Sequence, residues 1–250
     1  MSEALNRDLV WDGLLNVRDL GGHPTEDGGE TRFGEIVRAD TVRRLSQDGW
    51  QALLDYGIRT IVDLRTDGEL QADPPAELPV SAVHVPFLEE DDRVFREVDE
   101  AAAAAPDQAA STRAVYLIFL ERFRANVAAA ITAIAEAPEG GVVVHCMGGK
   151  DRTGLATALL LRMAGVGIDE IAADYALSEE RLKPRHDAWI AEAETEAERE
   201  RLRRIAATPA ESMVDVLEEL ERRYGSVEEY LRAGGAPADI GERVRARLRG

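Results

Sequence analysis

Val142-Val143-Val144-His145-Cys146-Met147-Gly148-Gly149-Lys150-Asp151-Arg152-Thr153-Gly154 reads as a buried strand, a tight loop and the first turn of a helix. Three consecutive valines favour extended backbone with both faces covered. The two glycines end that run, and a helical pattern over residues 151–163 follows. Backbone N–H groups of such a loop, with the helix N-terminus behind them, converge on one point and suit a phosphate dianion. Gly148 and Gly149 are expected to supply positive φ and close backbone approach.

Cys146 opens this loop and is the chain's one cysteine. Its sulfur would face the ring of amides, which favours the thiolate and places it for in-line attack on phosphorus. Arg152, six positions on, can hold two phosphate oxygens with one planar guanidinium, a fork that lysine lacks. Met147, Gly148, Gly149, Lys150, Asp151, Arg152 and Thr153 make up the expected phosphate cradle. Thr153 can offer its hydroxyl to the sulfur as that sulfur leaves in a second step. His145 is better placed to orient the loop than to act as a base. An arginine six positions after a cysteine is weak by itself in an arginine-rich chain. The preceding His, the internal glycines, the Thr-Gly that follows and the strand-loop-helix context make the reading specific.

Outward from the loop, strands and helices alternate. Residues 36–39 and 82–85 read as short strands, and residues 58–64 as a buried one. Ser46 is the expected N-cap of a helix that stops at Gly57. Residues 73–79 carry three prolines and read as a loop. Residues 89–110 are acidic and alanine-rich without a clean period, and read as mobile or weakly helical surface. Over 112–137, Val115, Phe119, Phe123, Val127, Ile131 and Ile134 share one stripe and predict a single long helix. After Asp169 nearly everything is helix-like, with a densely charged stretch over 188–207. Strands alternating with helices and then helices alone predict an α/β domain with a helical cap.

The 250 residues suit one domain with an appended subdomain. A net charge of −18 disfavours nucleic acid and anionic membrane as partners, without excluding a local basic pocket. One cysteine allows no internal disulfide and says nothing of compartment. The first ten residues lack the basic start and apolar core of a signal peptide, and no stretch approaches the about 18 apolar residues of a membrane span. A cytoplasmic protein is the default expectation, with secretion by another route left open. No His or Cys set has metal-ligand spacing, so neither metal nor cofactor is called for.

H-C-x5-R is the signature of the cysteine-based protein tyrosine phosphatase superfamily. The fuller H-C-x-x-G-K-D-R-T-G resembles its atypical bacterial branch, of the secreted mycobacterial type. Residues 16–22, N-V-R-D-L-G-G, resemble that branch's N-F-R-D-L-G-G, and Arg38 with Leu45 its F-R-S…L. Asp63-Leu64-Arg65-Thr66 with Glu69 resembles D-L-R-S…E, Asp174-Tyr175-Ala176-Leu177-Ser178 resembles D-Y-L-L-S, and Tyr224-Gly225-Ser226 with Tyr230-Leu231 resembles Y-G-S…Y-L. The likeness runs over about residues 14–235. It implies activity on phosphotyrosine proteins or peptides, often with phosphoserine, phosphothreonine or phosphoinositides as well, and a helical lid over the site.

The general acid stays open. The branch places an Asp just after a strand ending in Pro-Phe, where this chain has Pro86-Phe87-Leu88 and then Glu89. Glu89, Asp91 and Asp151 are the candidates, and a carboxylate of either length can do the work if it reaches. Asp151 has a plainer alternative as partner of a lid arginine. Lys150 either favours highly phosphorylated substrates or steadies the loop through a carboxylate. Asp63 with Arg65, and likewise Arg18 and Asp19, read as ion pairs bracing strand ends more readily than as chemistry. Tyr116 reads as core and His84 as structural.

The expectation is an α/β cysteine-phosphatase fold over 1–250, with a mostly parallel central sheet, and a helical lid and C-terminal helices from about 169. It would hydrolyse phosphate monoesters through phosphocysteine. Rival readings are a phosphoinositide phosphatase, a non-catalytic phospho-ligand module, and a sulfur-transfer enzyme, which the Arg152-Thr153-Gly154 run fits less well.

Overall fold

The computed structural model describes residues 6–74 and 78–250. The centre of the proline-rich stretch and the first five residues lie outside the described residues. In chain order the elements are β1 (Arg18–Asp19), β2 (Ile36–Ala39), α1 (Gln47–Asp55), β3 (Ile58–Asp63), α2 (Asp67–Ala72), β4 (Ser81–His84), α3 (Asp92–Ala104), α4 (Gln108–Arg122), α5 (Arg124–Ala135) and β5 (Gly141–His145). Helices alone follow: α6 (Asp151–Met163), α7 (Ile168–Glu192), α8 (Glu196–Ala206), α9 (Ala210–Tyr224), α10 (Val227–Ala233) and α11 (Ile240–Arg249).

The sheet runs β1-β2-β5-β3-β4, with β1 antiparallel to β2 and every other pair parallel. This is the mostly parallel α/β sheet expected. Alternation along each strand fills two cores. Ile36, Val62, Val142 and Val144 face a large core with α4, α5, α6 and α9–α11, while Val37, Ile61 and Val143 face a smaller one with Trp11 and Leu53. Each such side chain contributes about 1.5–3 kcal/mol by leaving water. The register puts Ala39, His145, Asp63 and His84 in one row at the carboxyl edge of the parallel strands. Ligands of open α/β sheets bind outside that edge.

Local signals explain the parts that match. Ser46 caps α1 by accepting from the Gly49 N–H, and Gly57 ends that turn with φ +97°. The helix after the loop begins at Asp151 and ends at Met163, as the sequence predicts.

Two expectations need correction. The acidic, alanine-rich stretch is a formed helix, α3, capped by Asp91. Half-buried Val94 and Val98 stand one turn apart, and alanine is the strongest helix former, so a sparse stripe suffices. The long helix over 112–137 is two helices broken at Phe123, with φ −112° and ψ 27°. The cause lies far off in sequence. The Leu120 carbonyl, which a continuous helix would give to the Arg124 N–H, accepts instead from the Tyr230 hydroxyl at 2.7 Å.

The helices after residue 169 divide in two. Met213, Val216, Leu217, Tyr230, Leu231, Ile240 and Val244 of α9–α11 belong to the large core. The second half of α7, from Pro184 on, and α8 instead lie across the carboxyl edge of the sheet, where they meet the loop after β5.

Candidate active site

β5 delivers Cys146 to the sheet edge, and the next four residues fold back before α6 begins. All the carbonyls of this loop point outward. Cys146 O lies 3.0 Å from His145 Nδ1, and Met147 O accepts from the Thr41 N–H at 3.1 Å. Asn16 Nδ2 donates to Gly148 O at 3.1 Å and to Gly149 O at 3.0 Å, and an Arg38 Nη donates to Gly149 O at 2.8 Å. Lys150 O accepts from the Gly154 N–H at 2.9 Å, the first bond of α6.

With every carbonyl turned out, the amides are left on the inner side. Among the described residues no hydrogen bond uses the N–H of Met147, Gly148, Gly149 or Lys150. Those of Asp151, Arg152 and Thr153 open a helix and have no partner within it. The result is a concave row of N–H donors with Cys146 at its base, 2% exposed. Gly149 alone needs to be glycine: its φ is +64°, and a Cβ there would stand 2.3 Å from Ala39 O. Gly148 has no positive φ and room for a Cβ, so the expectation that both glycines are forced holds for one.

Arg152 closes the row. Its two terminal nitrogens grip both carboxylate oxygens of Glu69, Nη2 to Oε1 at 2.8 Å and Nη1 to Oε2. Glu69 is itself fixed by a capping box with Thr66 at the start of α2. Partial burial works against the charge on Glu69, but Arg152 outweighs it and holds the carboxyl below its ordinary range. For Arg152, burial opposes the cation, while Glu69 and then Cys146 raise it above the usual arginine value. A guanidinium so held keeps its remaining N–H groups aimed in a fixed direction.

Among the described residues Thr153 Oγ1 is buried without a hydrogen-bond partner. Its companions in that condition are Arg38 Nε, Arg185 Nε and His186 Nδ1, all on residues around the loop or on α7 above it. His145 orients the loop, with Asp63 Oδ2 at 3.8 Å from its other nitrogen. Burial pushes its pKa below the ordinary histidine value despite that carboxylate.

The three acid candidates stand in different surroundings. Asp91 is the N-cap of α3 and grips Arg93, which pushes its pKa down to about 2. Glu89 is held by Asn126 Nδ2 of α5 at 3.2 Å. Asp151, in the loop itself, accepts from the Tyr116 hydroxyl at 2.6 Å, and that hydroxyl also meets Tyr175 at 2.8 Å. Among the described residues no lid arginine takes Asp151; Lys150 Nζ lies 3.5 Å away. Lys150 reaches mainly the Ile205 carbonyl of α8, a partner that was not foreseen.

The bracing roles are borne out in part. Arg65 and Asp63 pair at 2.7 Å, and His84 lies 2.8 Å from the Arg65 carbonyl. Arg18 pairs with Asp174 rather than with a strand neighbour, at 2.8 Å and wholly buried. Among the described residues Asp19 has no ion-pair partner; it accepts from the Gly21 and Gly34 N–H groups and from the Tyr56 hydroxyl. Sequence reasoning missed the supports of the loop: Asn16, Asp40, Thr41 and Asp174. Only the N-V-R-D-L-G-G and D-Y-A-L-S strings hinted at two of them. It also missed Glu90, which accepts from Thr66 Oγ1 at 2.9 Å beside Glu69.

Comparison with known proteins adds to this geometry. A model described as the tyrosine phosphatase family matches residues 9–250. A provisionally named tyrosine-protein phosphatase of Cupriavidus necator is 30% identical over 240 residues, covering 90% of this chain and 83% of that one. The triple specificity protein phosphatase PtpB of Mycobacterium tuberculosis is 28% identical over 275 residues, 95% of this chain and 98% of that one. A tyrosine-protein phosphatase of Nostoc commune is 28% identical over 231 residues, 85% of this chain.

Proposed function

Because the chain belongs to the tyrosine phosphatase family, we propose that Cys146 is its nucleophile and that the loop from Met147 to Thr153 holds the substrate phosphate. The protein is a cysteine-dependent phosphoric monoester hydrolase acting as a protein tyrosine phosphatase. One observation carries the residue assignment. The only cysteine lies at the base of a loop whose carbonyls are all tied outward, facing an arginine fixed by Glu69.

In the first step the Cys146 thiolate attacks phosphorus, and the bond from phosphorus to the ester oxygen breaks. The loop amides and Arg152 hold the three non-bridging oxygens as charge spreads over them. Asp151 gives a proton to the leaving oxygen, its other oxygen steadied by Tyr116. In the second step water attacks the phosphocysteine, Asp151 takes the proton, and Thr153 donates to the departing sulfur. Asp151 is preferred because it belongs to the cradle, whereas Asp91 is committed to capping α3 and Glu89 to Asn126.

Substrate reaches Cys146 only when α8 and the end of α7 shift, since Lys150 is tied across the mouth to Ile205. Phosphotyrosine is the first substrate class, with phosphoserine, phosphothreonine and phosphoinositides as further ones; Lys150 supports that breadth, and the M. tuberculosis relative bears a triple-specificity name. No helix of the described residues is long and apolar enough to cross a membrane.

The test is release of phosphate from a phosphotyrosine peptide, with chelator present. Wild type should turn over and Cys146→Ser should not. Asp151→Asn should lose about 10²-fold or more, and Glu89→Gln far less. The reverse order would move the acid to Glu89. An active Cys146→Ser would end the nucleophile assignment.

A further inference from the structure

The outward turn of the loop carbonyls has a specific agent. Asn16 stands just before β1, wholly buried, and its one amide nitrogen serves both Gly148 O at 3.1 Å and Gly149 O at 3.0 Å. The same side chain is fixed at its other end, where its Oδ1 accepts from Arg18 at 2.7 Å. That bond settles which end of the amide carries the donor. Its backbone is fixed as well: Asp40 Oδ1 accepts from the N–H groups of Leu15 and Asn16.

Behind Asn16 lies a buried ionic cluster. Asp174 of α7 accepts from Arg18 Nε at 2.8 Å and from Arg38 Nη1 at 2.7 Å, and Arg38 Nη2 continues to Gly149 O at 2.8 Å. The Gly149 carbonyl therefore receives two donors, one from just before β1 and one from β2. A peptide plane is rigid, so pinning a carbonyl outward pins the N–H on its far side inward. Pinning Gly148 O sets the Gly149 N–H, and pinning Gly149 O sets the Lys150 N–H. Both lie in the unclaimed inner row.

We infer that Asn16 is a positioning residue for phosphoryl transfer, which turns the Gly148–Gly149 and Gly149–Lys150 peptides so that their N–H groups meet the phosphate oxygens in the transition state. Asn16 touches neither substrate nor sulfur; it acts through the loop. This rests on the reading of the loop as the phosphate cradle.

Two substitutions separate positioning from mere filling. Asn16→Asp keeps the size but sets an oxygen against two carbonyl oxygens. Asn16→Ala removes the donor. The readouts are kcat, KM and the inhibition constant of orthovanadate, which takes the five-coordinate geometry of the transition state. An inhibition constant does not depend on how much of the sample is folded, so a purely structural role would not move it. For Asn16→Ala, kcat should fall and the vanadate constant rise by about 10²-fold, the cost of misplacing catalytic groups by about 1 Å. Asn16→Asp should lose at least as much, whereas a space-filling role predicts that it is benign.

Unchanged vanadate constants in both variants would overturn the proposal. If neither variant folds, a crystal structure of wild type with bound vanadate decides. Asn16 Nδ2 within hydrogen-bond distance of both carbonyls, with the Gly149 and Lys150 amides on the vanadate, supports it; an Asn16 turned away overturns it. Cys146→Ser, run in parallel, keeps the two claims apart. If it still turns over, the cradle reading fails. If it is inert while the Asn16 variants behave as wild type, only the positioning claim falls.

Discussion

The charges beneath the phosphate loop and the charges on the helix laid over it differ in nearly every respect. Below, Arg18, Arg38 and Asp174 are almost wholly buried, and both arginines reach the Asp174 carboxylate at 2.7–3.1 Å. Above, on α8, Glu196, Glu200, Arg199 and Arg203 pair within one helix, with side chains 34–71% exposed. Buried ions cost much to desolvate and hold only in one geometry, whereas exposed pairs exchange readily with water. The lower set therefore ties the loop into one geometry, while the α8 pairs stay within their own helix. Lys150, reaching the Ile205 carbonyl, and Arg185 of α7, paired with Asp40, join the overlying helices to the loop region.

The comparison breaks most visibly at Asp174. Asp174→Asn strands two buried guanidinium groups, and breaking such a set costs about 3–5 kcal/mol. Denaturant unfolding should show that loss; a change near zero would mean water reaches the cluster. Next comes the rim of the cradle. Arg152→Lys keeps the charge but loses the fork to Glu69 and to phosphate, and kcat should fall by about 10²-fold or more on the scale of one lost transition-state donor. Equal rates for Lys and Arg would show that point charge suffices there.

Stability should also fall as pH drops through the ordinary histidine range. Burial lowers the pKa of His23, His145 and His186, so the folded chain resists protons that the unfolded chain takes up. The stabilisation is present above the unfolded histidine value of about 6.5 and is lost as pH falls from there toward the folded values. Melting temperature against pH should slope downward on the acid side, and a flat profile there would contradict the buried placement. Asp91→Ala removes the α3 cap and should lower the unfolding midpoint modestly, as loss of an N-cap does. A large loss of rate instead would restore Asp91 as the acid. Smallest of all, Arg203→Ala on α8 should leave the unfolding midpoint almost unchanged, since exposed pairs contribute little. A clear drop in that midpoint would mean α8 is held as rigidly as the loop.

The proposed phosphate loop was legible in the sequence because its residues are contiguous. The strand, the cysteine, the glycine at positive φ, the arginine and the helix start all fall within residues 142–154. Its supports were not, because they are distant in the chain. Asn16 bonds residues more than a hundred positions away, and Arg18 finds Asp174 from the opposite end of the domain. The same cause hid the break at Phe123, which depends on a hydroxyl 110 positions from Leu120. α3 was hidden for another reason: an alanine-rich helix needs so little apolar stripe that its period is faint. The acid is ambiguous in the sequence because three carboxylates compete, and the caps and hydrogen bonds on which the proposal of Asp151 rests are three-dimensional facts.

The most direct test of the account is to catch the intermediate. Wild type is mixed rapidly with a phosphotyrosine peptide, quenched in acid during turnover, digested and weighed by mass spectrometry. The account predicts that the peptide containing Cys146 gains the mass of one phosphoryl group, and that the gain vanishes as substrate is exhausted. Turnover with Cys146 unmodified throughout, or with the phosphoryl group on another residue, would contradict it.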